Sequence, residues 1–182
     1  LSKRSNQIKC LYDKHGKPYI NEKYNSHTVE FNSSHSGNYG LTAITLDNKI
    51  GVDIQKIDST VNFESLSDRF FNINEKNELM KLNKDDQKDA FYLGWVRKES
   101  FIKATGKGIA YGLNRFSVTL NKIHNTNPII SNDENKNWYV CPKYWCTRCN
   151  ISLGDNDLIV KSNAQNTQKI PHCPQCNGVF KK

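Results

Sequence analysis

Four residues, Asp53, Gln55, Glu99 and Lys103, have the types and the spacing for chemistry on phosphate groups. In an extended segment alternate side chains share a face, so Asp53 and Gln55 would lie side by side. In a helix, Glu99 and Lys103 are four residues apart and also share a face. Carboxylate and amide oxygens suit a hard cation such as Mg²⁺, and a neighbouring lysine can neutralise phosphate oxygens. If the two segments meet in the fold, the sequence predicts a metal site with a lysine beside it.

The stretch SSHSG at 33–37 is a second candidate for phosphate binding. Its small residues permit close backbone approach, and the hydroxyl of Ser34 and the imidazole of His35 can donate hydrogen bonds to phosphate. The plainer interpretations are a solvated loop histidine here, and a polar strand face and a surface ion pair for the other four residues. The residue types alone leave both interpretations open.

Short strands and helices must position these side chains. Alternation predicts strands at 28–31, 41–46, 50–57 and 116–120 and another beginning near 137. Small polar residues and turn formers predict a turn at 15–20 and loops at 31–40 and 125–137. Helices are predicted at 63–71, 74–82 and 85–105. Asn74 is the predicted cap of the second helix, and Gly106 is the predicted end of the third.

Composition restricts the class of protein. At 182 residues the chain fits one domain with a small appendage, and its net charge of +8 favours an acidic or phosphorylated partner. The basic residues do not cluster with aromatic residues in a recognisable module, which argues against nucleic acid as the partner. No long apolar run and no export signal are visible, so we expect no membrane association and a cytoplasmic location.

The C-terminal segment has a different chemistry. Two C-x₂-C pairs, Cys146 with Cys149 and Cys173 with Cys176, are separated by 23 residues. Four thiolates at such a spacing can surround one tetrahedral Zn²⁺, and metal binding would then supply the folding energy of a zinc-ribbon-like segment. Cys141 and His172 are possible substitute ligands. The alternative is a set of free thiols.

Several motifs agree, in order, with one family. The segments GKPYI, FNSSHSG, IGVDIQKI, RFFNINE and FYLGWVRKESFIKATGKGI, within residues 14–120, resemble the 4′-phosphopantetheinyl transferases of the surfactin-synthetase-activating type. The resemblance implies an α+β fold of two similar halves with coenzyme A between them. It also implies an enzyme, a holo-[acyl-carrier-protein] synthase. Such an enzyme transfers the phosphopantetheine arm of coenzyme A to a serine of an acyl or peptidyl carrier protein and releases 3′,5′-ADP.

The resemblance also implies roles for individual residues. Asp53 and Glu99 match the family's Mg²⁺-binding carboxylates, and Glu99 and Lys103 match its catalytic pair. Gln55 stands where a second acidic residue is commoner, and its amide oxygen could bind the metal without adding charge.

Three further positions match coenzyme A contacts of the family, in addition to the phosphate contact of Lys103. Ser34 and His35 match the pair that binds the 3′-phosphoadenosine end. Lys17 matches the basic residue of the Gly-Lys-Pro turn, which also contacts coenzyme A.

Measured against the family pattern, we expect the first half to be N-terminally truncated. We therefore expect a remnant of that half at 1–57, the second half at 58–140 and the Cys-rich tail at 141–182, in a monomer. An incomplete pocket predicts that this chain transfers phosphopantetheine poorly or not at all. The alternative function is a catalytically inert, truncated transferase-like protein that binds through its zinc-ribbon module. The pathway stays open among fatty acid, polyketide, nonribosomal peptide and lysine biosynthesis.

Overall fold

The computed structural model describes residues 7–21, 23, 28–46 and 48–120, and the backbone of the short strands at 128–131, 138–140, 145–146, 151–152 and 158–161. These residues mix helices and strands, which confirms that part of the predicted α+β class. The arrangement of two similar halves, the first one incomplete, stays a prediction. Within the described residues, none of the helices combines the length and the apolar composition that a membrane span requires.

The described strands pair with one another in antiparallel fashion. The elements before the helices are β1 (Cys10–Tyr12), β2 (Pro18–Ile20), β3 (Val29–Ser36), β4 (Tyr39–Leu46) and β5 (Ile50–Val52). Those after the helices are β6 (Phe116–Ser117), β7 (Pro128–Ser131), β8 (Trp138–Val140), β9 (Trp145–Cys146), β10 (Ile151–Ser152) and β11 (Leu158–Lys161). The pairs β1–β2, β3–β4 and β9–β10 each form a two-stranded sheet, and a larger sheet has the order β5-β11-β8-β7-β6.

The larger sheet joins distant parts of the chain. Strand β11, which lies within the predicted tail 141–182, pairs with β5 on one side and with β8 on the other. Ile159 is therefore opposite Gly51 in one pair and opposite Val140 in the other. The strand that precedes Asp53 is thus held in a sheet by residues that follow it by about a hundred positions.

Three helices lie between β5 and β6, namely α1 (Phe63–Phe70), α2 (Ile73–Met80) and α3 (Lys84–Thr105). Asn72, not the predicted Asn74, caps α2, because its side chain accepts hydrogen bonds from the backbone N–H groups of Asn74 and Glu75. The Glu75 side chain bonds back to the backbone N–H of Asn72, which completes a capping box. Gly106 ends α3 in the left-handed conformation with φ of 68°, as predicted.

Four sequence predictions on secondary structure need correction. The predicted loop 31–40 is a hairpin, in which β3 and β4 pair in register from Val29 opposite Leu46 to Ser36 opposite Tyr39. The strand predicted at 50–57 ends at Val52, and that predicted at 116–120 is limited to β6. The predicted loop 125–137 contains β7. The hairpin was missed because residues 32–36 are polar on both faces, which hides the strand period.

An aromatic core fixes the orientation of α3. Phe91 packs against Phe71 with ring centroids 5.3 Å apart, and Phe101 packs against Phe116 at 4.4 Å. The buried apolar residues of this core come from the three helices and the segment after them: Phe63, Phe71, Leu79, Ala90, Phe91, Phe101, Ile102, Ala104, Leu113, Phe116, Val118 and Leu120. This packing buries one side of α3 and leaves its other side to face β3 and β5.

A buried ion pair adds a second constraint on α3. Lys98 Nζ lies 2.8 Å from a carboxylate oxygen of Glu75, and both side chains are almost fully buried. The ammonium also donates to the carbonyls of Leu113 and Phe116, and Glu75 accepts the backbone N–H of Val118. Since the polar atoms are paired, the charges are tolerated in the core and tie α2, α3 and the following segment together.

Candidate active site

A close approach between β5 and α3 places the predicted site residues. A Cβ atom at Gly51 would overlap the carbonyl oxygen of Ser100 and the backbone nitrogen of Ala104. The strand can therefore touch the helix only because position 51 is glycine and the helix presents small residues there. The backbone leaves the strand at Val52, and the next residue, Asp53, lies beside this face of α3.

The carboxylate of Asp53 is buried, with 2% of the residue exposed, and its two oxygens are paired. Oδ1 accepts hydrogen bonds from Ser34 Oγ at 2.8 Å and from Lys103 Nζ at 2.6 Å. Oδ2 accepts from Gln55 Nε2 at 3.1 Å. The structure thus brings together four of the residues that the sequence singled out, from β3, from the segment after β5 and from α3.

Lys103 joins the three elements. Its ammonium lies 2.9 Å from Ser34 Oγ as well as 2.6 Å from Asp53 Oδ1, so the three side chains form a closed triangle of contacts. About 29% of the Lys103 side chain is exposed, whereas Asp53 is buried. The lysine therefore stands between a buried carboxylate and solvent, where it can reach an anionic ligand.

Glu99 lies one turn before Lys103 on α3 and is half-buried. Burial raises the pKa of its carboxyl group, the negative charge of Asp53 raises it further, and Lys103 opposes both effects. Glu99 and Asp53 are thus two carboxylates that repel each other when both are charged. A cation between them would relieve this repulsion.

A cavity of about 450 Å³ opens beside this group. Its lining includes Glu99 and Lys103 from α3, Asn32 and Ser33 from β3, and His15 and Lys17 from the turn between β1 and β2. The turn between β1 and β2, strand β3 and helix α3 therefore border the same cavity. The family resemblance associates all three with coenzyme A. A cavity of this size can hold part of an organic ligand.

Lys17 lines the cavity, but its ammonium is engaged elsewhere. It donates to the carbonyl oxygen of Ala104 at 3.0 Å and lies 3.1 Å from a carboxylate oxygen of Glu30. The turn itself is fixed because Asp13 Oδ1 accepts the backbone N–H groups of His15 and Lys17. Lys17 thus caps the negative C-terminal end of α3, and its contact with coenzyme A stays a prediction.

His35 does not join the Asp53 group. Successive side chains of β3 point to opposite faces, so His35 is exposed on the face away from Ser34. The two residues that the family resemblance treats as a pair are therefore separated here. Ser34 contacts the Asp53 carboxylate, and the role of His35 in binding stays a prediction.

The donor set fits Mg²⁺. Asp53 and Glu99 provide two carboxylates, and hard oxygen ligands are what this ion prefers. Among the described residues, no group of three or more His, Cys, Asp or Glu side chains is arranged for a metal, so further ligands would be water, phosphate or Gln55. Gln55 presents its NH₂ group to Asp53, and its amide must turn over to offer the oxygen.

The predicted zinc site lies outside the described side chains. The backbone of Cys146 belongs to β9, and Cys149, Cys173 and Cys176 are outside the described residues. Zn²⁺ binding by these four cysteines stays a prediction from spacing.

Sequence reasoning missed two features of the site and one of the core. Gly51 permits the close approach, Asn32 accepts the backbone N–H of Val52 at 2.9 Å, and Lys98 pairs with Glu75 in the core. A signal existed for Asn32, because positions 32, 34 and 36 share one face of any strand through FNSSHSG. No sequence signal indicated the pair of Lys98 with Glu75, since it depends on how the helices pack.

Comparison with known proteins bears on the same residues. The family described as the 4′-phosphopantetheinyl transferase superfamily matches residues 49–157. Relatives include the 4′-phosphopantetheinyl transferase ffp of Bacillus subtilis, 43% identical over 115 residues, which are 63% of this chain and 49% of the relative. The 4′-phosphopantetheinyl transferase Sfp of Bacillus subtilis strain 168 is 39% identical over 115 residues, again 63% and 49% of the two chains.

A vertebrate relative is similar to a slightly longer stretch. The L-aminoadipate-semialdehyde dehydrogenase-phosphopantetheinyl transferase of Xenopus laevis is 34% identical over 138 residues, which are 68% of this chain and 46% of the relative. The chain spans about half the length of the curated relatives that it matches. Because the family match covers more than half of the chain and includes Asp53, Glu99 and Lys103, the chain belongs to the 4′-phosphopantetheinyl transferase superfamily.

Proposed function

We propose that this chain carries the catalytic group of an enzyme that transfers the 4′-phosphopantetheine arm of coenzyme A to a serine of an acyl or peptidyl carrier protein. The observation that supports it most is the contact of Lys103 with buried Asp53, beside Glu99, inside the stretch that matches the family. The protein would act in the cytoplasm and require Mg²⁺.

The reaction needs a positioned phosphate more than covalent help from the protein. The serine hydroxyl attacks the phosphorus that bears the pantetheine arm, a new P–O bond forms, and the bond to the bridging oxygen breaks. The 3′,5′-ADP leaves with that electron pair. Bound Mg²⁺, held by Asp53 and Glu99, would offset the charge that develops on the pyrophosphate oxygens.

The side chains of the site would divide the remaining work. Lys103 would turn from Asp53 to the phosphate oxygens, since its side chain lines the cavity. Glu99 would accept the proton of the attacking serine, directly or through a water molecule, because it lines the cavity beside Lys103.

Mass spectrometry of a carrier protein tests this function. The chain is incubated in excess with an apo carrier protein, coenzyme A and Mg²⁺, and the carrier is then weighed. We expect a gain of one phosphopantetheine arm with the wild-type chain and no gain with Asp53→Ala. An unmodified carrier after prolonged incubation with the folded chain would reject transfer by these residues.

A further inference from the structure

The inward face of β3 carries three polar side chains that contact the segment around Asp53. Asn32 Oδ1 accepts the backbone N–H of Val52 at 2.9 Å, and Ser36 Oγ accepts the backbone N–H of Lys56 at 2.8 Å. Between them, Ser34 Oγ donates to the carboxylate of Asp53 at 2.8 Å. Residues 32, 34 and 36 alternate along the strand, so one face makes all three bonds.

These bonds replace a backbone ladder. Strand β3 pairs with β4, whereas β5 pairs with β11, so the two strands belong to different sheets. The segment after Val52 is not a strand, and its backbone needs other partners. Asn32 accepts the N–H of Val52, one residue before Asp53, and Ser36 accepts the N–H of Lys56, three residues after it.

Asn32 is the stronger of the two anchors. Only 5% of the residue is exposed, and it also lines the cavity that Glu99 and Lys103 border. Ser36 makes its bond in an exposed position, where water competes. Replacing Asn32 by an apolar residue would leave the buried N–H of Val52 without this acceptor, immediately before the carboxylate that must be held in place.

We propose that Asn32 is a positioning residue that fixes the Asp53 carboxylate for metal binding through its bond to the Val52 backbone. The inference rests on the proposed function, because it takes Asp53 as a metal ligand. Groups that orient a ligand without touching the metal commonly change metal affinity by about 10- to 100-fold when they are removed. Asn32 would act in this way through the main chain.

Two measurements on the 182-residue chain separate this role from general stability. Hydrogen exchange at the Val52 amide reports the bond itself, and Mn²⁺ binding followed by electron paramagnetic resonance reports the metal site. The variants are Asn32→Leu, Asn32→Asp, which keeps an oxygen acceptor, and Asp53→Asn. Thr42→Val is the matched control, because Thr42 makes its side-chain bond to Ser33 on the exposed face of the same hairpin.

We expect Asn32→Leu to speed Val52 exchange and to weaken Mn²⁺ binding by about tenfold. Asn32→Asp should restore slow exchange of the Val52 amide and most of the Mn²⁺ affinity. Thr42→Val should leave both the exchange rate and the Mn²⁺ affinity unchanged, even if it lowers the melting temperature. Unchanged Mn²⁺ affinity in Asn32→Leu, while Asp53→Asn loses it, would overturn the positioning role alone. Equal Mn²⁺ binding by Asp53→Asn and wild type would instead refute the metal site of the proposed function. Unchanged Val52 exchange in Asn32→Leu would overturn the inference whatever the metal does.

Discussion

The ammonium of Lys103 lies 2.6 Å from Asp53 Oδ1, an oxygen that the proposed metal ion would use. Asp53 is buried and Lys103 is partly exposed, so the lysine is the group that can move away. We therefore expect a metal ion and the lysine to compete for this carboxylate until a phosphate attracts the lysine.

Lys103→Met is expected to tighten Mn²⁺ binding without coenzyme A and to weaken coenzyme A binding. The competing cation is removed in the first case, and a phosphate partner is lost in the second. A tenfold gain in Mn²⁺ affinity would correspond to about 1.4 kcal/mol. Titration of Mn²⁺ checks this, with Lys88→Met as the control for net charge, since Lys88 lies near the other end of α3. Weaker Mn²⁺ binding by Lys103→Met would contradict the competition.

Gly51→Ala should destabilise the protein by about 3 kcal/mol or more, because a Cβ atom there overlaps the backbone of α3, which cannot shift easily. Gly51→Ala should also lose Mn²⁺ binding, since β5 would move away from α3. Chemical denaturation and Mn²⁺ titration measure the two effects.

Gly94→Ala is the matched control for this change. Its Cβ would meet side chains, Leu120 and Phe71, and not backbone. It should disturb the core yet preserve Mn²⁺ binding in the folded protein. Wild-type stability in Gly51→Ala would show that the strand and helix are not in the close contact described.

Glu99→Gln should raise the melting temperature of the metal-free protein near neutral pH. The folded pKa of Glu99 lies above its unfolded value, chiefly through burial and then through Asp53. The folded state therefore binds more protons between the two values, and stability falls as pH rises through the folded pKa. A glutamine escapes this loss, so its advantage should be present at neutral pH and disappear on acidification below the unfolded pKa.

Thermal unfolding in EDTA across this pH range measures the effect. Glu64→Gln, on the exposed side of α1, is the control and should show no comparable gain. A lower melting temperature for Glu99→Gln at neutral pH would mean that Glu99 is stabilised by its surroundings in its charged form.

Helix α3 shows what local sequence could predict. Its start beside Asp85 and Asp86 and its end at Gly106 follow from capping and dipole effects within the segment. Because Glu99 and Lys103 are one turn apart on it, their common face was predicted with it. The neighbouring hairpin was missed because Asn32, an inward residue, is polar and is buried only through its bond to Val52.

Other features depend on distant parts of the chain. Asp53 was predicted on a polar strand face, yet it is buried, because α3 and β3 cover it and Lys103 and Ser34 pair with it. The pairing of β5 with β11 joins residues about a hundred positions apart, and no local pattern encodes such a register. Sequence therefore indicated that Asp53 and Lys103 lie together better than it indicated what holds them.

Calorimetric titration of coenzyme A into the wild-type chain, with Mg²⁺ and then with EDTA, tests the central claim most directly. If Asp53 and Glu99 hold a metal ion that binds the pyrophosphate of coenzyme A, Mg²⁺ should tighten coenzyme A binding by about tenfold or more. Asp53→Asn should abolish that gain, and Asp85→Asn at the exposed start of α3 should preserve it. Equal affinity for coenzyme A with Mg²⁺ and with EDTA in the wild-type chain would contradict the account.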